Sequence, residues 1–226
     1  MSTVLITGAS RGLGLEFTKL YAARGDRVLA CARTPDALAR LEGDIHPHRL
    51  EVTDYEAVKA LARKLDGEAI DILICNAGIG GERGSNAQDL GTFDPVLWRQ
   101  IFEVNTLAPL MMAEAFAGHV ARSRERKLIA ITSILGSLAS NNGGRYFYRA
   151  SKTALNMEWS CLAHELGPRG IICVALHPGW VQTDMGGPAA PLSIDQSVPA
   201  MVRTIAGFKP SDNGRFIQYD GGELPW

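Results

Sequence analysis

A tyrosine and a lysine four positions apart, Tyr148 and Lys152, are the side chains of this 226-residue chain best suited to proton transfer. On a helix, residues i and i+4 share a face, so the lysine ammonium would lie beside the tyrosine hydroxyl. A nearby cation lowers the pKa of a phenol, which is about 10 when unperturbed, and so allows general acid or base catalysis near neutral pH. By itself this spacing is common on solvated helices, so the assignment depends on the rest of the chain.

A glycine-rich turn, TGASRGLG, begins at Thr7, directly after an apolar run and before a helical pattern. Gly8, Gly12 and Gly14 permit a tight turn and let the backbone approach a pyrophosphate, whose charge is stabilised by amide groups at a helix N-terminus. The spacing is GxxxGxG and not the commoner GxGxxG, so the general dinucleotide-binding fingerprint is met only in part.

Short apolar runs alternate with helical patterns along the whole chain. Predicted strands cover residues 4–7, 27–32, 48–52, 70–76, 127–133, 171–177 and 215–219, and predicted helices cover 12–24, 35–42, 54–65, 94–122, 147–166 and 194–206. Strands that are apolar throughout indicate a parallel sheet with helices on both faces. We therefore predict one Rossmann-type α/β domain over residues 1–226, a doubly wound parallel sheet of about seven strands.

Composition argues against several classes of function. The chain is 46% hydrophobic and 21% charged with a net charge of −1, which gives little support to nucleic-acid binding. No apolar stretch approaches the roughly 20 residues that span a bilayer, and no secretory signal is visible, so we expect no membrane association and a cytoplasmic protein. The four cysteines have no CxxC spacing and the five histidines have no companions at metal-ligand spacing, so we predict no metal site.

Two loose segments rich in glycine and small polar residues, 78–93 and 179–193, follow predicted strands. In a doubly wound sheet the ligand binds at the carboxyl ends of the strands, so these segments are expected to border the site.

With these motifs the sequence resembles the short-chain dehydrogenase/reductase family, in particular its C-factor and sniffer-like carbonyl reductase branch. The resemblance covers essentially the whole chain and is carried by TGASRGLG, by NAG at 76–78, by HPGWVQTDMGG at 177–187 and by the ending FIQYDGGELPW. Family order implies a catalytic set of Asn105, Ser133, Tyr148 and Lys152, and the register of ITSILGS selects Ser133 over the neighbouring Thr132 and Ser137.

The resemblance implies a role for each member of this set. Tyr148 would donate the proton to a carbonyl oxygen, and Ser133 would hydrogen-bond that oxygen. Lys152 would bind the nicotinamide ribose hydroxyls and lower the pKa of Tyr148. Pro109 lacks the N–H that would pair with the Asn105 carbonyl, and a kink there fits the family's picture of Asn105 holding a water of a proton relay.

For the cofactor, the end of the second strand decides between NADPH and NADH. The sequence there is Cys31, Ala32, Arg33, Thr34, so no carboxylate is expected to compete, and Arg33 together with Arg11 would grip a 2′-phosphate. We favour NADP(H), with NAD(H) as the alternative, and Glu51 resembles the residue that meets the adenine. The full set implied for cofactor binding is Gly8, Ser10, Arg11, Gly12, Leu13, Gly14, Arg33, Glu51, Val52, Asn76, Ala77, Gly78, Tyr148, Lys152, Pro178, Gly179, Val181 and Thr183.

Substrate walls are expected from Ile134, Asn141, Tyr146, Trp180 and Met185, whereas Trp98 and Leu135 are better explained by core packing. Because this set is mostly apolar and has no arginine, it predicts a small uncharged carbonyl or alcohol substrate. Only fourteen residues separate Ser133 from Tyr148, which leaves no room for the insertion of monomeric carbonyl reductases and favours a homodimer or homotetramer. The alternative function is a non-catalytic, dinucleotide-responsive signalling protein of the C-factor type.

Overall fold

The computed structural model describes residues 1–81, 88 and 90–226. The apolar runs of these residues form seven strands in one sheet: β1 Thr3–Thr7, β2 Arg27–Ala32, β3 Ile45–Arg49, β4 Ile72–Cys75, β5 Lys127–Ile131, β6 Ile172–His177 and β7 Phe216–Gln218. Every neighbouring pair is parallel. The predicted doubly wound parallel α/β fold is confirmed.

The strand order is β3-β2-β1-β4-β5-β6-β7. The chain builds outward from β1 to β3 and then returns to place β4 on the other side of β1. The carboxyl ends of β1 and β4 therefore flank the point where the winding reverses, which is where sheets of this kind bind ligands. Both the glycine-rich turn and the NAG segment follow strands at this point.

Among the described residues, six α-helices cover the sheet: α1 Gly12–Ala23, α2 Tyr55–Lys64, α3 Pro95–Phe102, α4 Ala108–Ala121, α5 Tyr146–Leu166 and α6 Ile194–Gly207. Helices α2 and α3 begin at aspartate caps, as their sequences predict. Asp54 accepts a hydrogen bond from the amide of Ala57 at 3.0 Å, and Asp94 accepts one from Val96 at 2.8 Å.

The third strand differs from the prediction. We expected it at 48–52, after Pro47, but it runs over Ile45–Arg49 and includes Pro47 opposite Ala30 of β2. Because β3 lies at the edge of the sheet, a residue without an N–H is tolerated there.

The helix predicted at 35–42 is wrong except for one turn. The chain makes a 3₁₀ turn over Leu38–Arg40, and Leu41 already has extended backbone with ψ 149°. Leu38 is buried and Gly43 has φ +108°. The chain must reach the start of β3 at Ile45, so this segment is too short for a full helix.

The helix predicted at 94–122 is divided into three parts. Between α3 and α4 the chain forms a π-helical turn over Glu103–Leu107, closed by a hydrogen bond from Ala108 N–H to the Glu103 carbonyl. Pro109 lies at the start of α4 and cannot donate to the Asn105 carbonyl. A widened turn at this point is how the backbone accommodates the proline, and such π-turns are frequent at functional sites.

Two apolar layers hold the helices on the sheet. Side chains alternate along each strand, so that Leu5 and Leu73 pack on one face with α2, α4 and α5, while Ile6 and Ile74 pack on the other with α1 and α6. Trp159 of α5 is buried, and its indole N–H donates to the Leu128 carbonyl of β5 at 3.1 Å. This contact fixes α5, which carries the Tyr148–Lys152 pair, against the strand that leads to Ser133.

Across the described part of the chain, none of the helices combines the length and the apolar character needed to cross a membrane.

Candidate functional site

Three elements bring the four predicted catalytic residues together at the carboxyl edge of the sheet. Tyr148 and Lys152 lie one turn apart in α5, Ser133 directly follows β5, and Asn105 lies in the π-helical turn. All four are buried: Asn105 has no exposed surface, and the others keep at most 8% of theirs. Buried ionisable groups in this position must carry out their chemistry with little help from water.

The Ser133 side chain is placed to hydrogen-bond Tyr148, and the Ser133 hydroxyl accepts from the Leu135 amide at 3.1 Å. Close packing of the two segments makes this contact possible. A Cβ added to Gly136 would lie 2.8 Å from the Lys152 carbonyl carbon, so only a glycine lets the segment after Ser133 approach the α5 backbone this closely. Thr153 Oγ1 then donates to the Gly136 carbonyl at 3.0 Å.

Lys152 is a cation held inside the protein. Its ammonium donates to the Ile131 carbonyl at the end of β5 at 2.9 Å, and burial lowers its pKa to about 8 from the usual 10.5. It lies 5.9 Å from the centre of the Tyr148 ring. A Cβ placed on Gly78 of the NAG segment would lie 3.8 Å from this ammonium and 3.3 Å from Asn105 Oδ1, which shows that the lysine lies close to both.

The pKa of Tyr148 differs from the expectation. Burial raises it above the usual value, and the two influences that lower it are the guanidinium of Arg145 and the hydrogen bond from Ser133. The Lys152 ammonium donates to the Ile131 carbonyl, and the predicted effect of Lys152 on the pKa of Tyr148 is not among these influences. The cation over the phenol ring is Arg145, 4.5 Å from the ring centre.

Asn105 uses both ends of its amide to tie three segments together. Its Oδ1 accepts from the Ile79 amide at 2.8 Å, and its Nδ2 donates to the Ile79 carbonyl at 2.8 Å and to Ser151 Oγ at 3.1 Å. Ser151 in turn donates to the Tyr148 carbonyl at 2.8 Å. The side chain thus locks the π-helical turn to the loop after β4 and to the first turns of α5.

The glycine-rich turn has the shape that a dinucleotide pyrophosphate needs. Gly8 and Gly12 have φ +68° and +54°, which L side chains rarely adopt. A Cβ on Gly14 would lie 2.2 Å from the Gly8 carbonyl oxygen, so the turn closes tightly onto α1. The first amides of α1 receive no side-chain cap from Arg11 and can face an anion. These residues fit the pyrophosphate of a nicotinamide dinucleotide.

The turn is joined to the NAG segment through Thr7. Its hydroxyl accepts from the amides of Asn76 and Ala77 at 3.0 and 3.1 Å, and Asn76 Nδ2 donates to the Thr7 carbonyl at 2.9 Å. These bonds fix the two walls of the cleft between β1 and β4 relative to each other.

At the adenosine end of the expected cleft, both arginines have carboxylate partners. Arg33 lies 3.8 Å from Glu51, and Arg11 lies 2.5 Å from Asp184, with the side chains of Arg11 and Asp184 largely exposed. The expectation that no carboxylate competes for Arg33 was wrong, because β3 brings Glu51 beside β2. The sequence could not show this, since Glu51 follows a strand whose register was misplaced.

The segment after β6 approaches the glycine-rich turn. Thr183 Cγ2 lies 3.9 Å from a Cβ placed on Gly12, and the Arg11–Asp184 ion pair joins the same two segments. Gly179 has φ +83°, and the Pro178 carbonyl accepts from Ser197 Oγ at 2.6 Å. The remaining residues predicted to bind the cofactor are partly or fully buried near these turns: Ser10, Leu13, Val52 and Val181.

The residues predicted to line the substrate pocket differ in their contacts and in their exposure. Met185 adjoins Gly80, where a Cβ would lie 3.1 Å from its Cγ, and Trp180 donates to the Gly186 carbonyl at 2.8 Å while staying half exposed. Tyr146 packs edge-on against Phe93. Ile134, Leu135 and Asn141 lie in the segment that follows Ser133.

Trp98 does not belong to the core. It stacks on Phe102 one turn later in α3 and is 42% exposed, so the core-packing expectation for it was wrong. The loose segment predicted at 78–93 lies only partly within the described residues, which omit 82–87 and 89.

Sequence reasoning missed Gln88 and Arg145, which both contact Tyr148. Gln88 Oε1 accepts from the Tyr148 amide at 3.2 Å, and no pattern in its loop announces this contact. Arg145 immediately precedes α5 and has left-handed backbone, so helical spacing does not place it beside Tyr148, and the sequence carries no signal for this contact.

No group of metal-ligating side chains comes together among the residues described here. A cavity of about 430 Å³ between α6 and β7 is lined by residues that include Arg203, Asp212 and Arg215, and it touches no member of the catalytic set.

Comparison with known proteins relates this chain to one family. A family model described as short chain dehydrogenase matches residues 2–191. C-signal of Myxococcus xanthus is 42% identical over 170 residues, which are 75% of this chain and all of that protein. The solved structure of carbonyl reductase Sniffer of D. melanogaster superposes with a TM-score of 0.90 at 32% identity, covering both chains in full. The NADPH-bound carbonyl reductase from chicken fatty liver gives a TM-score of 0.89 at 31% identity, covering 100% of this chain and 99% of that one.

Because Lys152 is both charged and buried, we predict that it lowers the free energy of unfolding of the protein. Its pKa in the folded chain is about 8 and lies below the 10.5 of the free side chain, so the charged lysine destabilises the fold fully below pH 8. The penalty disappears as the pH rises toward 10.5. Replacing Lys152 by Met removes it, at the cost of an unpaired Ile131 carbonyl, and should raise the free energy of unfolding by roughly 1–3 kcal/mol at pH 7.

Urea unfolding of the ligand-free protein at pH 7 and at pH 10 measures this gain, which should shrink at the higher pH. The control is Lys19→Met, since Lys19 is half exposed in α1 and should show no such dependence. A Lys152→Met protein that is less stable than the parent at pH 7 would contradict the assignment of a buried, charged lysine.

Proposed function

We propose that this chain, which belongs to the short-chain dehydrogenase family, is an NADP(H)-dependent reductase of small carbonyl compounds that uses Tyr148 as its general acid. The observation that carries the proposal is that Ser133, Tyr148 and Lys152 are buried together, with Lys152 one helical turn from Tyr148. An oxidoreductase of this family needs all three side chains, and here they are held in one water-poor site.

Each residue of the proposed catalytic set would have its own role in the reduction of a carbonyl. A bound nicotinamide cofactor supplies the hydride. Ser133 and Tyr148 would both hydrogen-bond the substrate carbonyl oxygen, and Tyr148 would give that oxygen its proton as negative charge develops there. Lys152 would exchange its bond to the Ile131 carbonyl for the ribose hydroxyls and then lower the pKa of Tyr148. Asn105 would hold the water through which the site regains its proton.

The cofactor proposal depends on the residues at the carboxyl ends of β1, β2 and β4. The turn of Gly8, Gly12 and Gly14 suits a pyrophosphate, and Arg33 stands where a 2′-phosphate is expected. The NADPH bound in the chicken carbonyl reductase supports the same choice. Glu51 competes for Arg33, so we propose that NADPH is preferred and that NADH is bound more weakly.

A second candidate is a signalling role without turnover, and the similarity to C-signal is the observation that favours it. A protein that only senses a dinucleotide has no need of Ser133, Tyr148 and Lys152 together. We therefore place the reductase first, and a Tyr148→Phe variant separates the two functions.

We also propose that residues 1–226 form one dinucleotide-binding domain with an integrated substrate site, and that copies associate as a dimer or tetramer. Leu107, at the end of the π-helical turn, and Met157, on α5, are exposed apolar side chains that such packing would cover. Light scattering that gives only the 24.4 kDa mass of the monomer would contradict the association.

Tyr148→Phe should abolish reduction while leaving cofactor binding intact. Loss of a general acid lowers kcat by about 100- to 10,000-fold. The measurement is NADPH oxidation with a panel of aldehydes, ketones and quinones, beside NADPH binding followed by the cofactor's fluorescence. The control is Tyr21→Phe, which removes a buried phenol of α1 whose hydroxyl has no hydrogen-bond partner among the described residues.

A Tyr148→Phe protein that reduces the same substrates at the parental rate would overturn the assigned role. A protein that binds NADPH, turns over none of these compounds and keeps its biological activity in the variant would move the signalling candidate to first place.

Arg33 should set the preference for NADPH. Arg33→Asp is expected to weaken NADPH binding about 10- to 100-fold, the range of one charge-assisted contact to phosphate, and to change NADH binding little. Glu51→Gln should strengthen NADPH binding, because it removes the carboxylate that lies 3.8 Å from Arg33. Arg40→Asp makes the same charge change at an exposed position in the Leu38–Arg40 turn. Equal losses for the two Asp variants would refute a specific contact.

A further inference from the structure

Arg145 has a left-handed backbone conformation, which is energetically unfavourable for an arginine. It follows Gly143 and Gly144, whose φ values are +82° and +69°, and it continues the run with φ +48°. Glycine, which adopts left-handed backbone easily, occupies two of these three positions, and an arginine occupies the third. A residue keeps such a conformation when its surroundings hold it, and strained positions of this kind cluster at ligand sites.

The contacts of Arg145 place its guanidinium at the mouth of the candidate site. Its carbon lies 4.5 Å from the centre of the Tyr148 ring, and its Nη2 donates to the Gly80 carbonyl at 3.4 Å. Gly80 also adjoins Met185, since a Cβ there would lie 2.8 Å from the arginine and 3.1 Å from the methionine. A guanidinium carries five N–H donors, so this one, held on one side by an aromatic ring and a carbonyl, keeps donors for a ligand.

The charge of Arg145 acts on the residue that would meet the substrate. It is the charged group that lowers the pKa of Tyr148 against the effect of burial. Lys152, the other cation nearby, donates to the Ile131 carbonyl. Arg145 takes part in none of the ion pairs formed by the described residues. The residue is exposed and its guanidinium lies 4.5 Å from the centre of the Tyr148 ring, so its charge is accessible to a ligand beside that ring.

We propose that Arg145 binds an anionic group of the substrate, and that the preferred substrates are carbonyl compounds with a carboxylate on the carbonyl carbon, that is, 2-oxo acids. The guanidinium lies over the ring whose hydroxyl would contact the carbonyl oxygen, so an acid attached directly to that carbonyl reaches both groups. Arginine also pairs with a carboxylate through two parallel hydrogen bonds, which fixes the orientation of the ligand.

This inference rests on the proposed reductase function and deepens it. The carbonyl carbon gains the hydride, the oxygen gains the Tyr148 proton, and the carboxylate is unchanged, so the product is a 2-hydroxy acid. The sequence-based expectation of an uncharged substrate depended on finding no arginine in the pocket. The structure puts Arg145 there, and that premise is wrong.

A matched pair of probes tests the proposal: phenylglyoxylate and its methyl ester, which share the ketone and differ in the charge. The variants are Arg145→Gly, which removes the side chain and suits the φ of +48°, and Arg145→Lys, which keeps the charge without the planar fork. The control is Arg203→Gln in α6, an exposed arginine. Two readouts are needed, namely kcat/KM for both probes with NADPH and their binding to the NADP⁺-loaded protein, followed by the quenching of tryptophan fluorescence.

Arg145→Gly should weaken binding of the acid by about ten-fold, the effect of one charge-assisted hydrogen bond, and should change binding of the ester little. Because Arg145 also lowers the pKa of Tyr148, kcat/KM should fall for both probes, but about ten-fold further for the acid. The values for Arg145→Lys should lie between those of the parent and those of Arg145→Gly, and the values for Arg203→Gln should match those of the parent. Equal effects of Arg145→Gly on acid and ester would overturn the proposal and leave the reductase function standing. If neither probe is reduced, the binding ratio still decides: an acid bound no better than the ester by the parent would refute the role of Arg145.

Discussion

The burial of one lysine is the constraint on which the site depends. Lys152 keeps a buried ammonium, with 4% of the residue exposed, and its compensation within the described part of the chain is the Ile131 carbonyl at 2.9 Å. Burying a charge is expensive unless it is paired, so the protein stores unfavourable free energy there. A ligand with hydroxyl oxygens near the ammonium would recover part of it. The sheet provides this place because β5 ends at Ile131 and α5 packs directly against it.

The rest of the site follows from how closely α5 approaches the loops around it. Gly136 lets the segment after Ser133 touch the helix backbone, and Asn105 links the loop after β4 to Ser151 through its amide. The π-helical turn that presents Asn105 exists because Pro109 cannot complete a regular helix. Packing, a glycine and a proline therefore set the geometry that brings Ser133 to Tyr148, and the chemistry depends on these backbone features as much as on the polar side chains.

The sequence predicted the fold well, because the fold depends on local patterns, and the structure brings the four residues of the proposed catalytic set together. Apolar runs identified the seven strands of the described sheet, and the i, i+4 spacing put Tyr148 and Lys152 on one helix. Prediction from the sequence failed where segments that are distant along the chain come into contact. Glu51 comes beside Arg33 only through the pairing of β3 with β2, and that edge strand includes Pro47 against expectation. The acidity of Tyr148 was misjudged for the same reason, since burial and the direction of the Lys152 ammonium are properties of the packed structure.

The central claim is that burial raises the pKa of Tyr148 in the chain alone, and that the site becomes competent only when a cofactor brings Lys152 and positive charge to the phenol. The most direct test is NMR of protein labelled with ¹³C at the tyrosine ring carbon that bears the hydroxyl, with the Tyr148 signal assigned through Tyr148→Phe and followed against pH. This signal should titrate above the usual tyrosine value in the free protein and at lower pH once NADP⁺ is added. A phenol that already titrates below the usual value without ligand, or that does not respond to NADP⁺, would contradict it.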